Sequence, residues 1–131
     1  VQGVALSLNA IEHRILRPLF AEPRVHFALN CASLGCPNLL PEPFSEQNLE
    51  AALQGALEAY LAHPRGIAFE DGVLTLSSLF DWYRDDFPPG KDGLLAYLAA
   101  AAPETLEPSL SAYDGPIAFR YDWALNDAPG P

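Results

Sequence analysis

Five side chains in the first forty residues stand out as chemically capable: Glu12, His13, His26, Cys31 and Cys36. Cys31 follows the run Arg24-Val25-His26-Phe27-Ala28-Leu29-Asn30 and precedes Ala32-Ser33-Leu34-Gly35-Cys36-Pro37. A thiol at the end of a regular element, beside serine, glycine and backbone amides, is placed to act as a nucleophile. A neighbouring imidazole holds such a sulfur as thiolate, and a carboxylate orients the imidazole. His13 falls on an expected helix just upstream of an expected strand. Consecutive elements joined by short connections pack together, which brings His13 toward Cys31. The resulting assignment makes Cys31 the nucleophile and His13 its base, with His26 as the substitute base. Glu12 precedes His13, but neighbours on a helix point about 100° apart. It reads better as a cap, or as a bond to another element, than as the orienting carboxylate.

Other readings of the same residues stay open. Cys31 could be an inert small apolar side chain, or it could bridge to Cys36 across a glycine-containing turn. The Cys31–Cys36 spacing also suits zinc, but His13 and His26 lie upstream on different elements, and no metal or cofactor is assigned. His26 alternates with Val25 and Phe27, so on a strand it faces a cleft or serves as a hydrogen-bonded sheet residue. His63, before Pro64, reads as a partner for a helix C-terminus. In Asp81-Trp82-Tyr83-Arg84-Asp85-Asp86-Phe87 the aromatics are expected to pack and the acids to be solvated. Tyr121-Asp122-Trp123 reads as a partly wet sheet edge. The sequence contains no phosphate loop, nucleophile elbow, His-Glu-x-x-His helix or EF-hand loop.

The elements that must position these groups follow from periodicity and punctuation. Asn9 and Glu12 resemble a capping box for a helix from 10 to 17, ended by Pro18. Residues 24–30 read as a strand and 31–43 as a loop. Ser45 caps a long helix carrying Leu49, Leu53, Leu57, Tyr60 and Leu61. Asp71-Gly72 turns a hairpin between Ile67–Phe69 and Val73–Leu76. A helix with Leu79, Phe80 and Tyr83 opens at Ser77 or Ser78 and breaks at Pro88-Pro89. Another helix spans Leu94 to Ala102, and Ile117 to Trp123 forms a last strand. Helices and strands mix without a regular βαβ rhythm, which predicts an α+β fold with a small antiparallel or mixed sheet and several helices.

Composition bounds the function. A chain of 131 residues with 50% hydrophobic content and no repeat or linker reads as one domain, residues 1–131. Its 17 acidic residues against seven Lys and Arg leave a net charge of −10. A field of that sign repels phosphate backbones and anionic lipid heads, so nucleic acid is not an expected partner. The longest apolar stretches, about ten residues, fall short of the roughly twenty that span a bilayer, so no membrane insertion is expected. The chain begins at Val1 rather than Met, which leaves open a removed leader or a cut from a longer protein.

Four blocks together resemble the family called domain of unknown function 547. They are Ser7 to Arg17 with its Ile-Glu-His, Val25 to Pro37 with its Asn-Cys-Ala-Ser-x-x-Cys-Pro loop, Leu76 to Phe87, and Tyr121 to Asn126. In that family the Glu-His of the first helix and the first Cys of the loop are the recurring polar positions, which fall here on Glu12, His13 and Cys31. The second Cys is replaced by Ser in some members, which argues against an obligatory disulfide or metal pair at Cys36. Members usually carry an upstream half reading roughly Phe-Trp-Ile-Asn-Ala-Tyr-Asn, unmatched here. The resemblance therefore implies the C-terminal portion of a larger domain, and bacterial relatives imply an exported or periplasmic location.

The expected function is a papain-like or transglutaminase-like thiol hydrolase or transferase acting on peptide or amide bonds of a peptide or protein substrate, with a partial core of that kind. The alternative is a non-catalytic binding or scaffold domain that docks a partner at Trp82 or Trp123.

Overall fold

The computed structural model describes residues 3–127. Its first helical stretch opens at Ser7, whose Oγ accepts from the Ala10 N–H at 3.0 Å. That is the capping role expected of Asn9 with Glu12. The extended backbone of Ser7 aims its hydroxyl at the first turn, so Asn9 is already helical. Helix α1 (Leu8–Ile11), a π-helical segment (Glu12–Leu16) and α2 (Arg17–Phe20) then follow without a break. Pro18 does not end the helix as expected. The Arg17 N–H already bonds to the Glu12 carbonyl across the wider π turn, and Pro18 starts a fresh α turn behind it. The widened turn relieves the clash a proline ring makes with the carbonyl four residues back. Ala21, in the left-handed region at φ 48°, ends the stretch.

The expected strand over 24–30 is instead a 3-10 helix, Pro23–Phe27. Pro23 presets a turn-like φ. Glu22 caps it by accepting from the Arg24 N–H at 3.0 Å, and the same carboxylate grips the Arg24 guanidinium at 2.8 and 2.7 Å. Alternation in Val-His-Phe therefore does not sort these residues onto opposite faces. His26 and Phe27 are both buried, and His26 is no sheet residue.

Helix α3 (Leu49–Leu61) buries Leu53, Ala56, Leu57, Tyr60 and Leu61 along one face. Ser45 prepares its start, its carbonyl accepting from the Leu49 N–H at 3.0 Å. Strands β1 (Ile67–Glu70) and β2 (Val73–Ser77) pair antiparallel, Ile67 against Leu76 and Glu70 against Val73. Asp71 and Gly72, at φ 52° and 78°, supply the two left-handed residues that a tight hairpin turn needs. The chain returns through α4 (Leu79–Trp82), a 3-10 turn (Arg84–Asp86), α5 (Gly90–Ala101) and α6 (Glu107–Ser111) to β3 (Ile117–Arg120). β3 lies parallel to β2, Leu74 against Ile117, giving a mixed sheet of order β1-β2-β3. The fold is α+β.

One cluster gathers the core, with Phe27, Leu57, Leu61, Leu76, Phe80 and Leu98 at its centre. Phe27 packs, tilted, against Tyr60 and Phe80 at centroid distances of 5.4 and 5.7 Å, so the 3-10 helix is anchored into α3 and α4. Among the described residues no helix is long and apolar enough to cross a membrane.

Candidate functional site

Cys31 enters the site on a loop that other parts of the chain hold in place. Asn30 closes its entrance, its Oδ1 accepting from the Ala32 N–H at 2.9 Å and its Nδ2 donating to the Pro37 carbonyl at 2.8 Å. Ala32 adopts φ 61°, a conformation that costs a non-glycine residue about 1 kcal/mol. Residues 122–126 lie along the loop. Leu34 and Gly35 donate to the carbonyls of Ala124 and Asp122, both at 2.8 Å, and Asn126 donates to that of Ala32 at 2.8 Å. A Cβ on Gly35 would meet the Asp122 backbone nitrogen at 2.8 Å, so only glycine allows this approach. From beneath, the buried Tyr60 hydroxyl reaches the Gly35 carbonyl at 2.7 Å and Ser77 Oγ at 2.8 Å.

Cys31 and Cys36 are both free thiols, so the bridge between them is not formed. Buried Cys36 accepts the Cys31 N–H at 2.8 Å and donates its own S–H to the Leu29 carbonyl at 3.6 Å. Burial pushes its thiol up, and it stays protonated as a fastener of the loop. Cys31 is exposed, with Sγ 3.2 Å from Ser33 Oγ and 3.3 Å from the Tyr121 hydroxyl, which are themselves 2.9 Å apart. Partial burial acts to raise this thiol. Hydrogen bonds from the Ser33 hydroxyl, the Tyr121 hydroxyl, the Ser33 amide and Cys36 outweigh it and bring the thiol down to about 7. A large fraction is therefore thiolate at neutral pH.

The sulfur opens onto a cleft of about 690 Å³ that Glu12, His26, Cys36, Tyr83, Tyr121 and Trp123 also line. His13 does not line it. Its Nδ1 accepts from the Arg17 guanidinium at 3.0 Å, and its ring lies 6.3 Å from that of Tyr83. Glu12 and His13 diverge as sequence neighbours on a helix must, and only Glu12 turns inward. The imidazole in the cleft is thus His26, the substitute base of the sequence reading.

His26 has the partner that Cys–His chemistry asks for. Its Nε2 lies 2.7 Å from Asp86 Oδ2, while its ring stacks on Tyr83 at 3.8 Å. Arg17 holds Asp86 from the other side with contacts of 2.6 and 3.0 Å and lies over the Tyr83 ring. The Arg17 hydrogen bond keeps the Asp86 carboxyl below the usual aspartate value against burial, with His26 adding to the effect. Burial lowers His26, and the Asp86 bond opposes it without prevailing. A neutral imidazole beside an ionised carboxylate carries its proton on Nε2, where the carboxylate accepts it. That leaves Nδ1 as a bare lone pair, and it has no hydrogen-bond partner.

Sequence reasoning missed Asp86 and Tyr121. Asp86 was read as solvated, and Tyr121 as a sheet-edge residue. Both stand far along the chain from Cys31, and their partnership depends on packing. Among the described residues no group of three or more His, Cys, Asp or Glu is arranged to hold a metal ion.

Residues 1–61 match a family model described as "Protein of unknown function, DUF547". That stretch contains Glu12, His13, His26, Cys31 and Cys36, whereas Asp86, Tyr121 and the two tryptophans lie beyond it. No curated protein and no solved structure matches the chain.

Proposed function

We propose that this chain, whose residues 1–61 match the DUF547 family model, is a thiol-dependent enzyme acting on peptide or amide bonds, with Cys31 as nucleophile. One observation carries this reading: an exposed sulfur, held near neutral pKa by two hydroxyls, shares a cleft with a His26–Asp86 pair whose free nitrogen is unengaged. Its thiolate adds to an amide carbonyl carbon, the C–S bond forms and the C–N bond breaks, and the leaving nitrogen takes up a proton from solvent. Water or an amine then attacks the thioester, giving a proton to His26 Nδ1 and returning the sulfur as thiolate.

The base in this scheme is His26 rather than His13, because only His26 lines the cleft. The developing oxyanion needs a donor, and the loop has few to spare. The amides of residues 31, 32, 34, 35 and 36 are all engaged within the fold. The Tyr121 hydroxyl, 3.3 Å from the sulfur, is the group best placed for that role.

Alkylation by iodoacetamide, localised by mass spectrometry across a pH series, tests the nucleophile. Cys31 is expected to label with a midpoint near its value of about 7, and Cys31→Ser removes that labelling. A midpoint at the ordinary thiol value refutes the assignment.

A second reading has its own observation. Trp82, Tyr121 and Trp123 cluster with centroids 4.7 to 5.4 Å apart, and Trp123 is 69% exposed. A docking module built on those rings would keep its biological activity in Cys31→Ser and lose it on truncating Trp123.

A further inference from the structure

We propose that the facing Glu12 and His26 side chains form a recognition site for a primary amine carrying an apolar body. Its binding stands on the geometry of this pair, while its use as an acyl acceptor rests on the thiol reading above. Glu12 Oε1 and His26 Nδ1 lie 3.9 Å apart, too far to bond each other. Both are buried, both lack a hydrogen-bond partner, and both residues line the cleft that holds the sulfur. The His26 side chain is only 1% exposed, so its bare nitrogen is not supplied by bulk solvent.

The chemistry of the pair selects the ligand. With its proton given to Asp86, His26 offers Nδ1 as an acceptor, and Glu12 offers a carboxylate oxygen. Neither has a proton for the other. The group that satisfies both must bring at least two N–H or O–H donors, and a positive charge adds attraction to Glu12. A primary ammonium has three donors on one compact atom. A quaternary ammonium has the charge without the donors, and a carboxylate or phosphate has the wrong sign. Around the pair the cleft is mostly apolar, with Ile11, Leu16, Leu39, Trp82 and Trp123 among its walls. An alkyl or aryl body on the amine would displace water from them.

In the reaction, the bound ammonium gives one proton to His26 Nδ1. Its nitrogen then forms a C–N bond with the thioester carbon as the C–S bond breaks. The second N–H proton lost from that nitrogen passes to solvent, the sulfur leaves as thiolate, and His26 returns its own proton to solvent. The pair would thus bias the cleft from hydrolysis toward transfer to amines.

Isothermal titration of the full chain with phenethylamine, and with phenethyltrimethylammonium as the donor-less control, tests the site. Saturable binding of phenethylamine is expected, at least tenfold tighter than the control. Glu12→Gln is expected to weaken it at least tenfold, and Cys31→Ser to leave it unchanged. Equal affinity for the two ligands overturns the inference without relying on any variant. So does unaltered binding by Glu12→Gln, dependence on the Cys31 sulfur, or an absence of binding. Amine binding with a Cys31 of ordinary reactivity would remove the thiol reading alone. A reactive Cys31 without amine binding would remove this inference alone.

Discussion

Replacing Tyr121 by Phe isolates the contact that makes Cys31 unusual. The ring is held from outside by Trp82 and Trp123 at 4.8 and 4.7 Å, so the substitution removes the hydroxyl and leaves the packing. That hydroxyl lies 3.3 Å from the sulfur and 2.9 Å from Ser33 Oγ, so its loss takes away one donor and loosens the second. A hydrogen bond to a charged group is worth about 1.5–3 kcal/mol, and one pKa unit is about 1.4 kcal/mol. Solvent reaches Cys31, which puts the loss at the low end of that range, about one unit upward from about 7. At pH 7 the thiolate fraction then falls from about one half to roughly one-tenth. A more basic thiolate is also a better nucleophile, with a Brønsted slope of about 0.4–0.5, which restores about threefold in rate. The alkylation rate at pH 7 should therefore drop only about twofold, while above pH 9, where both sulfurs are ionised, the variant should react about threefold faster. The two pH–rate curves cross. Stopped alkylation with iodoacetamide from pH 5 to 10 reads this directly, and curves of unchanged midpoint would show that Tyr121 does not hold the thiolate.

Three further outcomes follow from the same contacts. Tyr60→Phe strands the buried Gly35 carbonyl and should lower stability by about 1–3 kcal/mol in urea unfolding, with faster amide exchange at Leu34 and Gly35. Phe27→Ala empties a fully buried site between Tyr60, Phe80 and Phe87 and should destabilise by about 3–5 kcal/mol in the same assay. Asp86→Asn separates two effects. The native carboxyl titrates below the usual aspartate value, so its stabilisation is complete above about 4 and is lost as pH falls through its lowered value. Acid-unfolding curves of the variant should lack that limb and lie below the native protein at pH 7, and coincident curves at both pH values would contradict the Arg17–Asp86–His26 arrangement.

The hairpin was readable because Asp71-Gly72 names its own turn, and α3 because its leucines repeat over three helical turns. Both signals are local. The 3-10 helix was not, because Val25-His26-Phe27 alternates as a strand does, while the decisive information lay in Pro23 and in the grip of Glu22 on Arg24. Pro18 misled in the opposite direction. Proline ends a helix only where the ring must clash, and the π turn before it removes the clash. Helix α6 escaped notice among Pro103 and Pro108, although Pro108 lies in its first turn, where a missing N–H is harmless.

The site divides along the same line. Cys31 was legible as a loop thiol from residue type and loop chemistry, whereas Glu12 reads from sequence as a cap and instead lines the cleft. His13 was favoured over His26 on proximity in sequence, and proximity fails here for a geometric reason. Residues 12 and 13 leave the helix about 100° apart, and of the two only Glu12 lines the cleft while His13 bonds Arg17. What selects His26 is Asp86, sixty positions away. Nothing about Asp86 in sequence separates it from Asp85, since both sit in an acidic, aromatic stretch. The distinction arises because the 3-10 turn Arg84–Asp86 presents one carboxylate to Arg17 and His26. Exchanging the roles of these two aspartates by substitution should therefore have unequal consequences. Asp85→Asn, with no such partners, should leave the pH–stability curve and Cys31 labelling as they are, whereas Asp86→Asn should alter the first. If the neighbours behaved alike, the acidic stretch would act through net charge alone, and the case for an oriented imidazole in this cleft would be gone.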